Sequence, residues 1–176
     1  IEEVLRQWYP VVEAHDGEGR SRLLLIDDGS KDSTREKAAA FAGTHPLMEV
    51  VTKPNGGHGS SVYYGYRCAL RDRADYVFQT DSDGQTLPEE FEPFWEEREN
   101  YCAIIGNRKH RQDGYSRILV TRALRALLFL IFRVRVTDAN TPYRLMRAAE
   151  LEGNLRLLPK NYHLTNVLLA VCYHKR

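Results

Sequence analysis

The chain has 176 residues, of which 43% are hydrophobic and 28% are charged, a composition that is typical of a folded globular protein and excludes a disordered one. This length suits one domain with a single sizeable core. The formal net charge is +1, so no global positive field predicts nucleic acid as a partner.

The sequence shows signs of truncation at both ends. Residues 1–8 predict a helix with no capping residue before it, and residues 174–176 close the sequence without a helix stop signal. We therefore expect residues 1–176 to form one domain whose first strand and following segment are missing. Three cysteines lie far apart in apolar settings, and no secretory signal is visible, which predicts reduced, buried thiols in a reducing compartment.

Four short apolar runs predict strands, each ending in a polar residue, a glycine or a turn, and three of them are followed by a helix. The predicted strands cover 23–26, 48–52, 76–80 and 102–106, and the predicted helices cover 33–42, 60–71 and 88–99. This alternation predicts βαβ units and an α/β fold with a mostly parallel sheet flanked by helices. Ligands bind outside the carboxyl ends of such strands, where three polar, glycine-containing turns are predicted.

The pattern changes after Gly106. A polar stretch at 107–114 precedes a predicted amphipathic helix at 116–132, irregular or extended chain at 136–146 and a final helix at 165–174. Eight basic residues and one acid lie between residues 107 and 135, which predicts an anionic partner on one face. The apolar stripe of helix 116–132 fits either packing on the core or lying in a membrane interface beside anionic lipids.

Asp81 and Asp83 follow the third predicted strand and bracket a single residue. In an extended turn both carboxylates can converge on one cation, and Gln85 adds an amide oxygen; hard oxygen ligands suit Mg²⁺ or Mn²⁺. Such an ion can bind a pyrophosphate and neutralise the charge that develops on it as it leaves. The alternative is a polar turn that caps the next helix. The surrounding sequence, residues 76–89, favours the metal site.

The other two turns carry candidate ligand-binding residues. Asp28 is predicted to accept hydrogen bonds from a ribose or base, whereas Asp32 is predicted to cap the following helix. In the glycine-rich turn at 53–60, Asn55 and Gly57 are candidate donor-binding residues, because glycine lets the backbone approach a ligand and the helix start behind it favours an anion. For His58 in that turn, contact with phosphate and simple solvation both stay open.

The order and spacing of these three motifs resemble the family 2 glycosyltransferases of the GT-A fold, a Rossmann-like fold. The segments 104–108, 111–114 and 138–144 are similar to the polyprenyl-phosphate branch, which includes enzymes resembling dolichol-phosphate mannose synthase. The resemblance covers nearly the whole chain. It implies a metal-dependent, inverting transfer of a sugar from UDP or GDP to a polyprenyl phosphate. The family's first strand ends in a Pro-x-Tyr-Asn-Glu-like motif, which nothing before Ile1 supplies.

The resemblance also implies residue roles. Asp83 and Gln85 would bind Mn²⁺ or Mg²⁺, Asp81 would support the nucleotide sugar, and Asp28 would lie near the nucleoside. The acceptor phosphate would be held by arginines, namely Arg108 with Arg117 or Arg122, and catalysis would involve Asp81, Asp83 and Arg108. Together with the basic helix, this predicts a protein at the cytoplasmic face of the cell membrane.

Two other functions stay open. A lipid phosphate is largely a dianion at neutral pH and needs no general base, whereas a saccharide hydroxyl, as in cell-wall or capsule synthesis, needs one. In that case Asp113 or Asp138 would be the base, although the Q-x-x-R-W signature of processive synthases is missing from the sequence. The third hypothesis is a non-catalytic nucleotide-binding module.

Overall fold

The computed structural model describes residues 1–107, 123, 126–134, 138–160 and 163–174. Its strands are β1 (Leu23–Asp27), β2 (Met48–Thr52), β3 (Tyr76–Gln79), β4 (Ala103–Ile105) and β5 (Arg144–Arg147). Its helices are α1 (Glu2–Ala14), α2 (Thr34–Ala42), α3 (His58–Arg71), α4 (Glu92–Glu96), α5 (which includes 126–132), α6 (Ala148–Leu155) and α7 (Thr165–His174). A short 3-10 turn covers Pro88–Glu90.

The strands form one parallel pair and one three-stranded sheet. β1 pairs with β2 in parallel, with Leu23 opposite Met48 and Asp27 opposite Thr52. β5 lies between β3 and β4 and is antiparallel to both. The α/β fold is therefore confirmed, but the prediction of a mostly parallel sheet is wrong, since among the described strands only β1 and β2 pair in parallel. The antiparallel strand β5 and helix α6 were not predicted, because the segment that holds β5 shows no alternation of apolar and polar residues.

Proline explains a difference between the predicted and observed helices after β3. We predicted one helix over 88–99, and the structure has the 3-10 turn, then Phe91, then α4. Pro93 lies in the first turn of α4, where its missing N–H has no intrahelical partner to lose. A proline in the middle of a longer helix would remove a backbone hydrogen bond, so the chain starts a second helix instead.

The main core lies between α3, α6 and α7. It contains buried side chains from all three helices and from β5, namely Tyr63, Tyr66, Met146, Leu151, Leu155, Leu158 and Leu169. Full burial of one such leucine contributes about 1.5–3 kcal/mol to the free energy of unfolding. The cysteines were predicted to be buried; Cys68 is buried, whereas Cys102 and Cys172 are half-buried.

An aromatic cluster fixes the segment after β3. Trp8 of α1 packs on Phe78 with ring centroids 5.4 Å apart, and Phe78 packs on Tyr143 at 4.8 Å. The Tyr143 hydroxyl donates a hydrogen bond of 3.1 Å to the carbonyl of Leu87. These contacts hold the chain on both sides of the predicted metal-binding turn.

Candidate functional site

Three polar turns follow β1, β2 and β3, and hydrogen bonds and close approaches bring them together. Two of them are named here the glycine loop (residues 53–60) and the aspartate loop (residues 80–86). Asp28, in the turn after β1, binds the glycine loop directly. His58, in the glycine loop, places its Nε2 4.0 Å from Oδ1 of Asp81 in the aspartate loop. The three predicted turns therefore line a single region at the carboxyl ends of the strands.

Asp28 organises the glycine loop. Its Oδ1 accepts the N–H of Gly56 at 2.9 Å and its Oδ2 accepts the N–H of Gly57 at 2.8 Å. The Lys53 ammonium also donates to Oδ1 of Asp28 and, at 2.9 Å, to the carbonyl of Pro54. Burial raises the pKa of Asp28, but the bonds from Lys53 and the two backbone N–H groups outweigh it and hold the pKa below its ordinary value. We predicted that Asp28 meets the nucleoside; the structure shows its carboxylate bonded within the protein.

Gly29 lets the turn after β1 lie close to the glycine loop. Its φ is +74°, a left-handed conformation that costs L-residues with a side chain about 1–2 kcal/mol. A Cβ at this position would lie 3.1 Å from the backbone nitrogen of Asn55. Gly57 has a φ of +83°, and a Cβ there would lie 3.2 Å from the His163 ring. Both positions therefore require glycine, and His163 joins the site from the segment before α7.

The neighbouring acids, Asp27 and Asp32, shape local turns. Asp27 is buried, and its Oδ1 accepts the N–H of Ser30 at 3.0 Å. The Ser30 side chain is the main cause of a lowered pKa at Asp27. Asp32 accepts the N–H of Thr34, the first residue of α2, at 3.1 Å, but the N-cap position itself is Ser33, which makes no side-chain cap bond.

The aspartate loop is closed at its base and exposed at its tip. The hydroxyls of Thr80 and Thr86 lie 2.6 Å apart, which closes the loop. At the tip, Oδ1 of Asp83 accepts the N–H of Gln85 at 3.0 Å, and Gly84 has a φ of +75°. Asp83 and Gln85 are exposed, whereas the Asp81 side chain is 31% exposed.

The oxygen atoms in this loop fit a hard divalent cation. They come from two carboxylates and one amide, which Mg²⁺ and Mn²⁺ prefer. In the described ranges, no group of three or more His, Cys, Asp or Glu side chains forms a complete metal site. A cation held by the aspartate loop would therefore share its ligands with phosphate or water, as Mg²⁺ usually does.

The structure describes only some of the residues that were predicted to bind the acceptor or to act as a base. Arg108, Asp113, Arg117 and Arg122, all predicted site residues, lie outside the described residues. Asp138, the other candidate base, is half-buried at the start of the segment 138–144, named here the arginine loop. The negative charges of Asp138 and Asp81 both act to raise the pKa of Arg144, against the larger effect of burial.

Arg144 is a site residue to which the sequence analysis assigned no role. It is fully buried, and its guanidinium donates to the carbonyls of Thr141, Ala139 and Asn166. Burial lowers the pKa of Arg144, and Tyr66 and Asp138 act in the opposite direction. One signal was available: Arg144 stands between Tyr143 and Leu145 in an apolar stretch, which is typical of a buried arginine.

Comparison with solved structures defines the class of protein. The chain has a GT-A-like α/β fold, which it shares with the crystal structure of residues 1–349 of TarS from S. aureus. The two match with a TM-score of 0.59 and 16% identity, over 98% of this chain and 52% of that one. Residues 1–154 match the model of glycosyl transferase family 2. The chain therefore belongs to this family.

The names of the curated relatives indicate different acceptors. Dolichyl-phosphate beta-glucosyltransferase ALG5C of Trichomonas vaginalis is 31% identical over 124 residues, 66% of this chain and 35% of the relative. Undecaprenyl-phosphate mannosyltransferase of Micrococcus luteus is 27% identical over 76% of this chain and 57% of the relative. Chondroitin synthase of Pasteurella multocida is 26% identical over 87% of this chain and 17% of the relative. The chain thus spans 57% or less of each of these proteins.

Proposed function

We propose that this protein is a glycosyltransferase that transfers a sugar, with inversion, from a UDP- or GDP-sugar to a polyprenyl phosphate, with Mn²⁺ or Mg²⁺ as cofactor. The observation that carries the proposal is the position of Asp81 and Asp83, in an exposed loop that lies beside the glycine loop at the ends of the strands. The similarity to relatives named for dolichyl and undecaprenyl phosphate supports the choice of a lipid acceptor.

The glycine loop would hold the donor's diphosphate. α3 begins at His58. The residue at its N-cap position, Gly57, has no side chain that could bond to the N–H groups of the first turn. Backbone N–H groups at a helix start, together with the helix dipole, attract phosphate. Since Asp28 and Lys53 bind each other and fix this loop, the N–H groups of the first turn need no rearrangement when the donor binds. Asn55 and Asp81 would add side-chain contacts.

Asp83 and Gln85 would hold the cation beside those phosphates. When bound, the cation would neutralise the negative charge of the departing nucleoside diphosphate. The hydrogen bond from the Gln85 N–H to Asp83 keeps the two residues together at the tip of the aspartate loop. The tip of this loop is exposed to solvent, so a nucleotide can reach it.

The acceptor phosphate would be its own nucleophile. Its second pKa is about 6, so it is largely a dianion at neutral pH and needs orientation more than a general base. Arginine suits this task because its planar group binds phosphate through two hydrogen bonds. We assign the task to Arg108 with Arg117 or Arg122, and we assign no base role to Asp113 or Asp138.

α5 provides a surface for the membrane. Leu127, Leu130 and Ile131 are 52%, 67% and 60% exposed, whereas Leu128 is buried against α7. One face of the helix therefore packs on the core, and the other presents apolar side chains that can enter the lipid interface. Within the described ranges, no helix has the length and hydrophobicity that crossing a bilayer requires. We place the reaction at the inner face of the cell membrane.

The test is a transfer assay. The protein is incubated with UDP- and GDP-sugars, Mn²⁺ or Mg²⁺, and a short polyprenyl phosphate, and the lipid product is analysed by mass spectrometry. We expect a lipid-linked sugar from at least one donor, and none from the Asp83→Asn variant under the same conditions. Failure of every donor with the wild-type protein would refute the lipid-phosphate acceptor.

Transfer to a saccharide hydroxyl is the second candidate, favoured by the similarity to chondroitin synthase over 87% of this chain. It requires a general base, and Asp113 and Asp138 are the candidates. Asp113→Asn and Asp138→Asn variants separate the two acceptors: with a phosphate acceptor both keep their kcat, whereas with a hydroxyl acceptor one of them loses about 100-fold or more. The assay uses oligosaccharides in parallel with polyprenyl phosphate.

A further inference from the structure

A buried arginine joins two segments that are distant in sequence. Arg144 is 0% exposed. Its Nε donates to the Thr141 carbonyl at 3.1 Å and its Nη2 donates to the Ala139 carbonyl at 3.3 Å, both in the arginine loop. Its Nη1 donates to the Asn166 carbonyl at 3.0 Å, in the first turn of α7. The guanidinium therefore ties the arginine loop to the start of α7.

The start of α7 is tied in turn to the glycine loop. Thr165 is 1% exposed, and its hydroxyl donates to the carbonyl of Gly59 at 2.8 Å. Gly59 lies two residues after Gly57, whose N–H binds Asp28. We call Arg144, Thr165 and the Asn166 carbonyl the clasp. Through the clasp, a series of hydrogen bonds runs from Asp28 to the arginine loop.

Stability alone is a poor explanation for this arrangement. No carboxylate among the described residues forms an ion pair with Arg144, and the Asn166 amide and Thr141 hydroxyl beside it are buried without hydrogen-bond partners in the described part of the chain. Buried charged and unpaired polar groups cost stability, and apolar replacements of buried charges are often more stable. Groups of this kind are expected where a site needs fixed geometry.

We propose that Arg144 and Thr165 are positioning residues that hold the arginine loop in a fixed relation to the glycine loop during sugar transfer. The proposal rests on the proposed function, in which the glycine loop is the donor side. The arginine loop lies beside the chain that leads to the acceptor side, since the Tyr143 carbonyl accepts the N–H of Gly106, two residues before Arg108, at 2.8 Å. Sugar transfer requires the nucleophile and the anomeric carbon to meet in one geometry, and a displacement of about 1 Å can cost about 100-fold in rate. The clasp acts through the loops and contacts neither substrate.

The experiment compares two substitutions at Thr165. Thr165→Val keeps the shape of the side chain and loses the bond to Gly59, whereas Thr165→Ser keeps the hydroxyl. We expect Thr165→Val to lower kcat by about tenfold with a change in the donor KM of about twofold or less, and Thr165→Ser to stay near the wild-type kcat. Arg144→Lys, which cannot reach three carbonyls, is expected to lose more than Thr165→Val.

A core variant serves as the matched control. Leu155 is buried in α6 and forms no hydrogen bond of the clasp, so Leu155→Ala is expected to lower the Tm while every hydrogen bond of the clasp keeps its donor and acceptor. We expect its kcat, measured per folded protein, to equal that of the wild type. The inference is overturned if Thr165→Val keeps the wild-type kcat, or if Leu155→Ala loses as much kcat at an equal loss of Tm. A wild-type protein that transfers no sugar overturns the proposed function, and the clasp with it.

Discussion

The glycine loop and the arginine loop are built in opposite ways. The glycine loop is held by Asp28, Lys53 and backbone N–H groups in turns that directly follow strands. The arginine loop is held by one buried cation whose partners are carbonyls, one of them 22 residues away. Both loops depend on bonds between segments distant in sequence, but the first is organised by a carboxylate that accepts from N–H groups and an ammonium, and the second by a guanidinium that donates to carbonyls. Substitutions in the two loops should therefore change different measurable properties.

The largest effect is expected at the tip of the aspartate loop. Asp83→Asn removes a carboxylate from an exposed position, so the free energy of unfolding should change by about 0.5 kcal/mol or less. Loss of a ligand to the cation should lower kcat/KM by at least about 100-fold. Steady-state kinetics over a range of Mn²⁺ concentrations measures both binding of the ion and transfer. If Asp83→Asn had the same kcat/KM as the wild type at low Mn²⁺, Asp83 would be excluded as a metal ligand.

Asp28→Asn should destabilise the glycine loop. The substitution weakens the bonds to Lys53 and to the two backbone N–H groups, and hydrogen bonds to a charged group contribute about 1.5–3 kcal/mol each. We expect the free energy of unfolding at pH 7 to fall by about 1–3 kcal/mol and the donor KM to rise. Urea denaturation and donor titration measure the two effects. A rise in KM without loss of stability would favour direct contact between Asp28 and the donor.

The effect of Asp28 should disappear in acid. Its pKa is lower in the folded protein than the ordinary value of 3.8, so its contribution to stability is present above that value. As the pH falls through the folded pKa, the carboxylate is protonated and the contribution is lost. The difference in free energy of unfolding between wild type and Asp28→Asn should therefore shrink below about pH 4. A constant difference from pH 7 to pH 3 would contradict the lowered pKa.

Gly29→Ala tests the close approach of the first turn to the glycine loop. The substitution forces a side chain into a left-handed conformation and against the Asn55 backbone, so we expect a loss of about 1–3 kcal/mol in the free energy of unfolding. Gly17→Ala is the matched control. A Cβ added at Gly17 would meet no neighbouring atom within 4 Å, and the φ of Gly17 is not positive. Equal Tm values for the two variants would show that Gly29 is not required.

The smallest effect on the folded protein is expected on α5. A double substitution, Leu130→Ser with Ile131→Ser, changes exposed side chains and should leave the Tm nearly unchanged. It should weaken binding to vesicles that contain anionic lipid by about tenfold or more, because each of the two side chains buries apolar area in the interface. Vesicle sedimentation measures this. Equal binding of variant and wild type would exclude α5 as the membrane surface.

Distance along the chain explains what the sequence could predict. The strands β1, β2 and β3 and the turns after them were predictable, because apolar runs ending in Asp and Gly are local patterns. Asp28 and Gly57 were both identified as site residues, but the bonds from Gly56 and Gly57 to Asp28 were not predicted, since a pairing 28 or 29 residues apart has no local signal. β5, α6 and the carbonyl partners of Arg144 depend on tertiary packing, which overrides local propensity.

Calorimetry of nucleotide binding tests the central claim, that a divalent cation held by Asp83 binds the diphosphate of the donor. UDP and GDP are titrated into the wild-type protein and into Asp83→Asn, each with and without Mn²⁺. The account predicts that Mn²⁺ strengthens binding of at least one nucleotide to the wild-type protein by about tenfold or more, and that Asp83→Asn abolishes this gain. Binding that is equally strong without Mn²⁺, or a gain that survives in Asp83→Asn, would contradict it.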